Sequence, residues 1–334
     1  MKPRIFVVQP LMDEGLEMLR EVGEVEVFQS ERMISRAELI AAVRRADYVV
    51  ALGDTPIDAE VMDANPGLKG ISAMAMGLNV IDVAAATERG IVVTNIEHVI
   101  AKTTADLTMA LIVGLAWRLV EADRFTRCGK FRQEQSMSFL CHSLPGKVLG
   151  MIGLGAIGEQ LARRAWAFEM PVLYSKRTRL PEQRERELGV EWVADKEEVL
   201  RRGDFVAIMA SYNPSTHLLI RERELGLMKP SAFFINTGRG RIVDEEALVA
   251  ALQSGRIAGA GLDVYWCEPP VGEPRPHPAL LKMDNVILTP HIGSATWESR
   301  REMATRVAMN MVAIVNGERP PNLYNPEVYG WQPD

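Results

Sequence analysis

An arginine, a glutamate and a histidine, each in a short polar run behind an apolar stretch, are the residues of this chain best suited to chemistry. They are Arg239 in Asn236-Thr237-Gly238-Arg239-Gly240, Glu268 closing Asp263-Val264-Tyr265-Trp266-Cys267-Glu268, and His291 in Thr289-Pro290-His291-Ile292-Gly293. The apolar stretches 232–235, 258–262 and 286–288 read as buried strands. Ligands of an open parallel sheet bind outside the carboxyl ends of its strands, so the three side chains belong to the edge where a substrate would lie. Histidine exchanges protons near neutral pH, glutamate orients the ring and favours its charged form, and arginine grips a carboxylate through a planar fork. The set suits hydride transfer to a ketone, in which a proton donor meets the developing alkoxide and an anchor holds the substrate. Taken singly, a strand-end Arg or Glu is an ordinary surface residue; their joint occurrence carries the reading.

A cofactor site is expected upstream. Gly153-Leu154-Gly155-Ala156-Ile157-Gly158 follows an apolar run at 148–152 and opens a helical pattern at 156–168. Gly153 suits the tight turn, Gly155 the close approach of a pyrophosphate, and Gly158 the packing of helix on sheet, while the helix start at Ala156 and Ile157 stabilises the phosphates. An NAD site carries an acidic residue about 20 residues further on. Here the second strand ends in Ser175-Lys176-Arg177-Thr178-Arg179, with three cations and no carboxylate. That composition suits a 2'-phosphate, so NADP(H) is the expected cofactor, with NAD(H) the alternative.

The elements that must position these residues follow from length and period. At 334 residues, two domains are expected. A net charge of -6 with both signs interspersed argues against nucleic acid or an anionic membrane as partner. Three scattered cysteines, Cys128, Cys141 and Cys267, and an N-terminus that enters an apolar run at 5–8 point to the cytoplasm. The apolar run 109–117 is too short to span a bilayer. No histidine or cysteine spacing suggests a metal site. Residues 1–99 alternate strand and helix patterns, with Ser35 and Glu38 forming a capping box. One continuous helix is expected over 100–127, a second strand–helix series from 147, helices near 196–201, 215–227 and 244–254, and a last helix over 296–316. This gives a substrate domain of residues 1–99 and 292–334, with a dinucleotide-binding domain of residues 100–291 inserted into it and two hinge crossings.

The motifs resemble those of the D-isomer-specific 2-hydroxyacid dehydrogenases, and within them the glyoxylate/hydroxypyruvate reductase branch. The likeness rests on the Gly153 fingerprint, on 236–244, on Gly261-Leu262-Asp263-Val264, on Glu268-Pro269 and on 289–293, and it covers nearly the whole chain. It implies two doubly wound parallel-sheet domains, a Rossmann cofactor domain within a flavodoxin-like substrate domain. It further implies that Arg239 binds substrate carboxylate and carbonyl, that His291 is the acid/base and Glu268 its partner, and that Asp263 meets the nicotinamide carboxamide. Thr237 joins the cofactor contacts, and the amides of Met76 and Gly77 take the substrate carboxylate. A small 2-oxo or 2-hydroxy acid is the implied substrate, and a homodimer through the cofactor domain the implied assembly. The chain departs from the branch at 74–78, at 95–98, in the stretch between Glu268 and His291, and at 210–214. These departures leave the reaction type and open the choice to a larger or less polar 2-oxo acid. His98 and Trp297 are further candidates near the cleft. The rivals are a related dehydrogenase of formate, phosphite or a sugar-derived acid, and a non-enzymatic dinucleotide-sensing corepressor. The His291–Glu268 pair speaks against formate, whose oxidation needs no such proton transfer, and the presence of all three catalytic candidates speaks against the corepressor.

Overall fold

The computed structural model describes residues 2–30, 32–96, 99–131, 137, 139–268 and 275–330. The chain forms two compact units: Met1–Ile100 with Ala295–Asp334, and Ala101–Ser294.

The first unit opens with β1 (Arg4–Val7), α1 (Asp13–Val22), β2 (Glu24–Val27), α2 (Arg36–Val43), β3 (Tyr48–Leu52), α3 (Ala59–Asp63), β4 (Gly70–Met74), α4 (Val83–Glu88) and β5 (Val92–Thr94). All pairings among these five strands are parallel and the strand order is β2-β1-β3-β4-β5, the flavodoxin-like order. Successive residues of β1 alternate between the two faces: Ile5 and Val7 join the core that holds Leu16 and Leu19, and Phe6 joins the core of Leu39, Val43 and Val61. The capping box of α2 forms as expected, with Ser35 accepting from the Glu38 amide and Glu38 from the Ser35 amide.

The second unit runs α5 (Ala101–Ala116), α6 (Leu119–Arg127), β6 (Leu149–Ile152), α7 (Ala156–Ala167), β7 (Val172–Ser175), α8 (Glu182–Leu188), β8 (Val190–Trp192), α9 (Lys196–Arg202), β9 (Phe205–Ile208), α10 (Glu222–Leu227), β10 (Phe233–Asn236), α11 (Glu245–Gln253), β11 (Gly259–Leu262) and β12 (Val286–Leu288). Its sheet is parallel throughout, in the order β12-β11-β10-β9-β6-β7-β8. The order reverses at β6, so the glycine loop that follows β6 stands at the topological switch point. The chain then returns to the first unit as α12 (Trp297–Asn316), capped by Thr296.

Two expected helices are corrected. The single helix over 100–127 is broken into α5 and α6, bent by 60° at Trp117-Arg118, where Arg118 is left-handed at φ 50°. The returning chain takes the carbonyls that a continuous helix would need: the His142 amide donates to Ala116 at 2.9 Å and the Cys141 thiol to Trp117 at 3.3 Å. Arg118 is fixed there by Glu121 at 2.6 Å and lies over Phe139. The helix expected from residue 215 begins only at Glu222, because Ile220 pairs in parallel with Val243 and Leu218 is left-handed. Helix α8 and strand β8 are not foretold by the sequence, because both are short, carry little periodic signal, and Glu191 of β8 faces solvent. No single helix among the described residues is long and apolar enough to cross a membrane.

Candidate active site

The adjacent strands β10, β11 and β12 deliver Arg239, Glu268 and His291 on the loops that leave their carboxyl ends. His291 Nδ1 stands 3.4 Å from Glu268 Oε1. The glutamate side chain is 13% exposed and the imidazole 51%, so the pair is sheltered on the Glu268 side and open on the histidine side. A neutral imidazole holding its proton on Nδ1 toward the carboxylate presents Nε2 as acceptor; the imidazolium presents it as donor.

His291 is held in a left-handed conformation, φ 54°, uncommon for a residue other than glycine. The surrounding contacts impose it. Asp263, 1% exposed, accepts from the Thr289 hydroxyl at 2.7 Å, the Ile292 amide at 2.8 Å and the Gly293 amide at 3.0 Å. Tyr265 donates its hydroxyl to the Thr289 carbonyl at 2.8 Å, and Thr104 on α5 donates to the Gly293 carbonyl at 3.1 Å. The histidine loop is therefore clamped before and after its catalytic candidate. Burial, with the charges of Asp263 and Glu268 nearby, pushes the Tyr265 phenol upward, so it remains a donor. The carboxylate of Asp263 is engaged with this loop, a structural duty that the resemblance did not suggest.

Arg239 follows a turn built by Asn236, whose side chain accepts from the Gly238 amide at 3.0 Å and donates to the Arg239 carbonyl at 3.1 Å. Its Nη1 donates to the Gly238 carbonyl at 2.8 Å. Desolvation lowers its pKa, and the charge of Glu268 acts the other way. Gly240 ties the two loops together, because a Cβ there would fall on the Tyr265 carbonyl. On the far side, Glu245 at the start of α11 accepts from the Trp266 amide at 3.2 Å, and burial pushes its carboxyl upward. Thr237 is buried, 2.8 Å from the Thr108 hydroxyl. Since Thr108 donates to the Thr104 carbonyl at 2.7 Å, Thr237 is the donor of that pair. Thr104, Thr108 and Glu245 carry no local signal for these contacts, and those of Tyr265 and Gly240, which lie within the motifs, likewise depend on partners far along the chain.

The glycine loop fits a dinucleotide. Gly153 has φ 90°, and a Cβ on it would lie 2.7 Å from the Ala210 nitrogen. A Cβ at Gly155 would meet nothing within 4 Å, leaving the space that a pyrophosphate needs. Gly155 caps α7 without a side-chain bond, and the amides of Ala156, Ile157 and Gly158 have no acceptor among the described residues. Beside them, Lys176 donates to the Leu154 carbonyl at 2.9 Å, and the Gly153 amide donates to the Ser175 carbonyl at 2.7 Å. Ser175 is buried, with its hydroxyl toward the Ala194 carbonyl at 3.4 Å. Arg177 is exposed and makes no ion pair or hydrogen bond among the described residues. The cluster of three cations is thus reduced to two: Arg179 is committed to Glu185 at 2.7 Å and 2.9 Å and lies over Trp192.

In the first unit, Asn95 donates to the Met76 carbonyl at 3.0 Å and the Ile96 amide to the Ala75 carbonyl at 3.0 Å. The amides of Met76 and Gly77 have no acceptor among the described residues. Trp297 is 75% exposed, so it fills no core. His98 and residues 269–274 lie outside the described residues.

Residues 109–293 match the family model described as D-isomer specific 2-hydroxyacid dehydrogenase, NAD binding domain. The chain belongs to this family. A glyoxylate reductase of Thermococcus gammatolerans is 46% identical over 98% of this chain and 97% of its own. Among solved structures, a Thermus thermophilus protein superposes with a TM-score of 0.89 at 39% identity, covering 96% of this chain and 99% of its own. The NADPH-dependent glyoxylate/hydroxypyruvate reductase of Sinorhizobium meliloti, solved with NADP and malonate, gives a TM-score of 0.82 at 31% identity over 97% of both chains.

Proposed function

We infer that this 2-hydroxyacid dehydrogenase is an NAD(P)H-dependent reductase of a small 2-oxo acid such as glyoxylate or hydroxypyruvate, with NADPH preferred. The observation that carries the chemistry is the His291–Glu268 contact at 3.4 Å on the same sheet edge as Arg239 and the open glycine loop. NADPH supplies the hydride. His291 Nε2 gives its proton to the carbonyl oxygen as that oxygen becomes an alcohol, and takes it back in the oxidative direction. Glu268, 3.4 Å from Nδ1, keeps the ring oriented. Arg239 holds the substrate carboxylate and polarises its carbonyl. In the first unit, the open amides of Met76 and Gly77 are the second carboxylate site. Gly153, Gly155 and the first amides of α7 take the pyrophosphate, Lys176 and Arg177 the 2'-phosphate, and Thr237 and Asp263 line the nicotinamide end.

We assign residues 1–99 and 292–334 to substrate and 100–291 to cofactor. The exposed Trp117, Leu119, Val120, Phe131, Met137 and Leu140 cluster in one stretch of the second unit and suit burial against a second copy. Light scattering on the purified protein tests this dimer; a monomer at micromolar concentration removes it. The thiols of Cys128, Cys141 and Cys267, all free, suit a reducing compartment, the cytoplasm. Steady-state reduction of a panel of 2-oxo acids with NADPH and NADH tests the activity. Turnover of glyoxylate, hydroxypyruvate or a close analogue is expected, and no turnover of any 2-oxo acid would overturn the reading.

A further inference from the structure

At the carboxyl edge of the first sheet lie two charged side chains that the proposed chemistry does not use. Arg300 sits near the start of α12, partly buried, and no hydrogen bond or ion pair of its guanidinium is found among the described residues. Burial lowers its pKa from an ordinary value so high that the charge is kept, and Asp54 supplies the opposing charge. Asp54 follows β3 by two residues, and its Oδ1 is buried.

The fold places this pair beside the Met76–Gly77 loop. Strands β3 and β4 are paired with Leu52 against Met74, so Gly53-Asp54 and Ala75-Met76 leave the sheet side by side. They are in close contact there, because a Cβ built on Gly53 would stand 2.8 Å from that of Ala75. Helix α12 runs antiparallel to β4: Gly70 faces Ile314, and the Ser72 hydroxyl donates to the Val307 carbonyl at 2.9 Å. Continued toward its own beginning, the helix brings Arg300 to the carboxyl end of β4, where the open amides of Met76 and Gly77 begin. A partly buried arginine with no acceptor among the described residues has its donors and its charge available to an anion.

We propose that Arg300 determines specificity for anionic substrates: its charge, partly offset by Asp54, adds a positive potential to the carboxylate site made by the Met76 and Gly77 amides. The proposal rests on the reading of those amides as a carboxylate site. Amides alone attract any carbonyl oxygen or carboxylate through their dipoles, whereas a nearby unit charge separates anionic from neutral substrates. The two residues act in opposite directions, because one supplies the field and the other diminishes it.

The test is the ratio of kcat/KM for glyoxylate to that for its neutral amide, glyoxylamide, with NADPH saturating. Arg300→Gln should lower the ratio about tenfold, with the loss in KM for glyoxylate. Arg300→Lys, which keeps the charge, should hold the ratio within about threefold of the parent, a smaller effect because charge outweighs fork geometry at this range. Asp54→Asn should raise the ratio by about threefold. A purely structural pair predicts the reverse pattern, in which Arg300→Gln and Asp54→Asn move the ratio together or leave it unchanged while both lower Tm. Either result overturns the proposal. A parent enzyme with no preference for glyoxylate over glyoxylamide would instead remove the carboxylate site itself, so the two failures are distinct.

Discussion

Replacing Glu268 with Gln keeps size and hydrogen-bonding capacity while removing the charge 3.4 Å from His291 Nδ1. Two unit charges at that distance interact by about 1.2 kcal/mol in a water-like dielectric and about 5 kcal/mol at an effective dielectric of 20. The imidazole is 51% exposed and Glu268 13%, so solvent screening keeps the effect near the lower figure. At 1.36 kcal/mol per factor of ten in rate, the loss is worth about tenfold. The sign follows from where charge develops. Oxidation moves a proton onto the ring in the transition state, and a carboxylate beside Nδ1 stabilises the charge that forms. Without it, kcat for oxidation of the 2-hydroxy acid should fall about tenfold at fixed pH, while the dissociation constant of the oxidised cofactor changes little. Single-turnover oxidation and a cofactor titration on the parent and Glu268→Gln enzymes check both. An unchanged kcat, or an oxidation faster than the parent's, would refute the electrostatic reasoning.

Three further outcomes are expected. NADPH should be used with a higher kcat/KM than NADH, and Arg177→Ala should raise KM for NADPH about tenfold with little change for NADH, because it removes one charged hydrogen bond at an exposed site; equal use of the two cofactors by the parent would refute this. Arg239→Lys keeps a charge but loses the planar fork, so kcat/KM for a 2-oxo acid should fall at least about tenfold while the NADPH dissociation constant, measured by fluorescence titration, changes much less. Tyr174 is buried and donates to Glu185 at 2.6 Å, and desolvation followed by that bond pushes its pKa up to about 12. Its raised pKa contributes stability that is complete below the ordinary phenol value of about 10 and is lost as pH rises through 12, so Tyr174→Phe should lower Tm at pH 8 yet flatten its decline between about pH 10 and 12.

What the sequence revealed and what it concealed divide by the range of the interactions involved. Strands such as Tyr48–Leu52 and Phe233–Asn236 were legible because a buried parallel strand is a short apolar run bounded by turn residues, a local pattern. The order of the site loops was legible for the same reason, since each polar run follows its own strand. The cap of Ser35 by Glu38 spans three residues and was equally plain. By contrast, the kink at Arg118 depends on Cys141 and His142, some two dozen residues on, capturing the carbonyls of Ala116 and Trp117. No periodicity in α5 announces that capture, and the sequence around it has neither proline nor glycine at the break.

The same division runs through the site. Arg239, Glu268 and His291 were singled out by residue type and position, but the elements that fix them are long-range: Tyr265 reaches Thr289, Thr104 reaches Gly293, and Gly240 admits the Tyr265 backbone. Arg179 shows the error that follows from composition alone. It counts among three cations behind β7, yet its charge is spent on Glu185 and its plane on Trp192, leaving Lys176 and Arg177 for a phosphate. Arg300 is the converse. Its sequence neighbours on α12 are charged and it reads as one more surface residue, yet partial burial with no acceptor among the described residues sets it apart from Arg301, whose guanidinium is paired with Glu14 at 2.5 Å. Adjacent arginines on one helix thus have different tasks: the exposed pair contributes little to stability, while a partly buried cation with open donors retains its charge for a ligand.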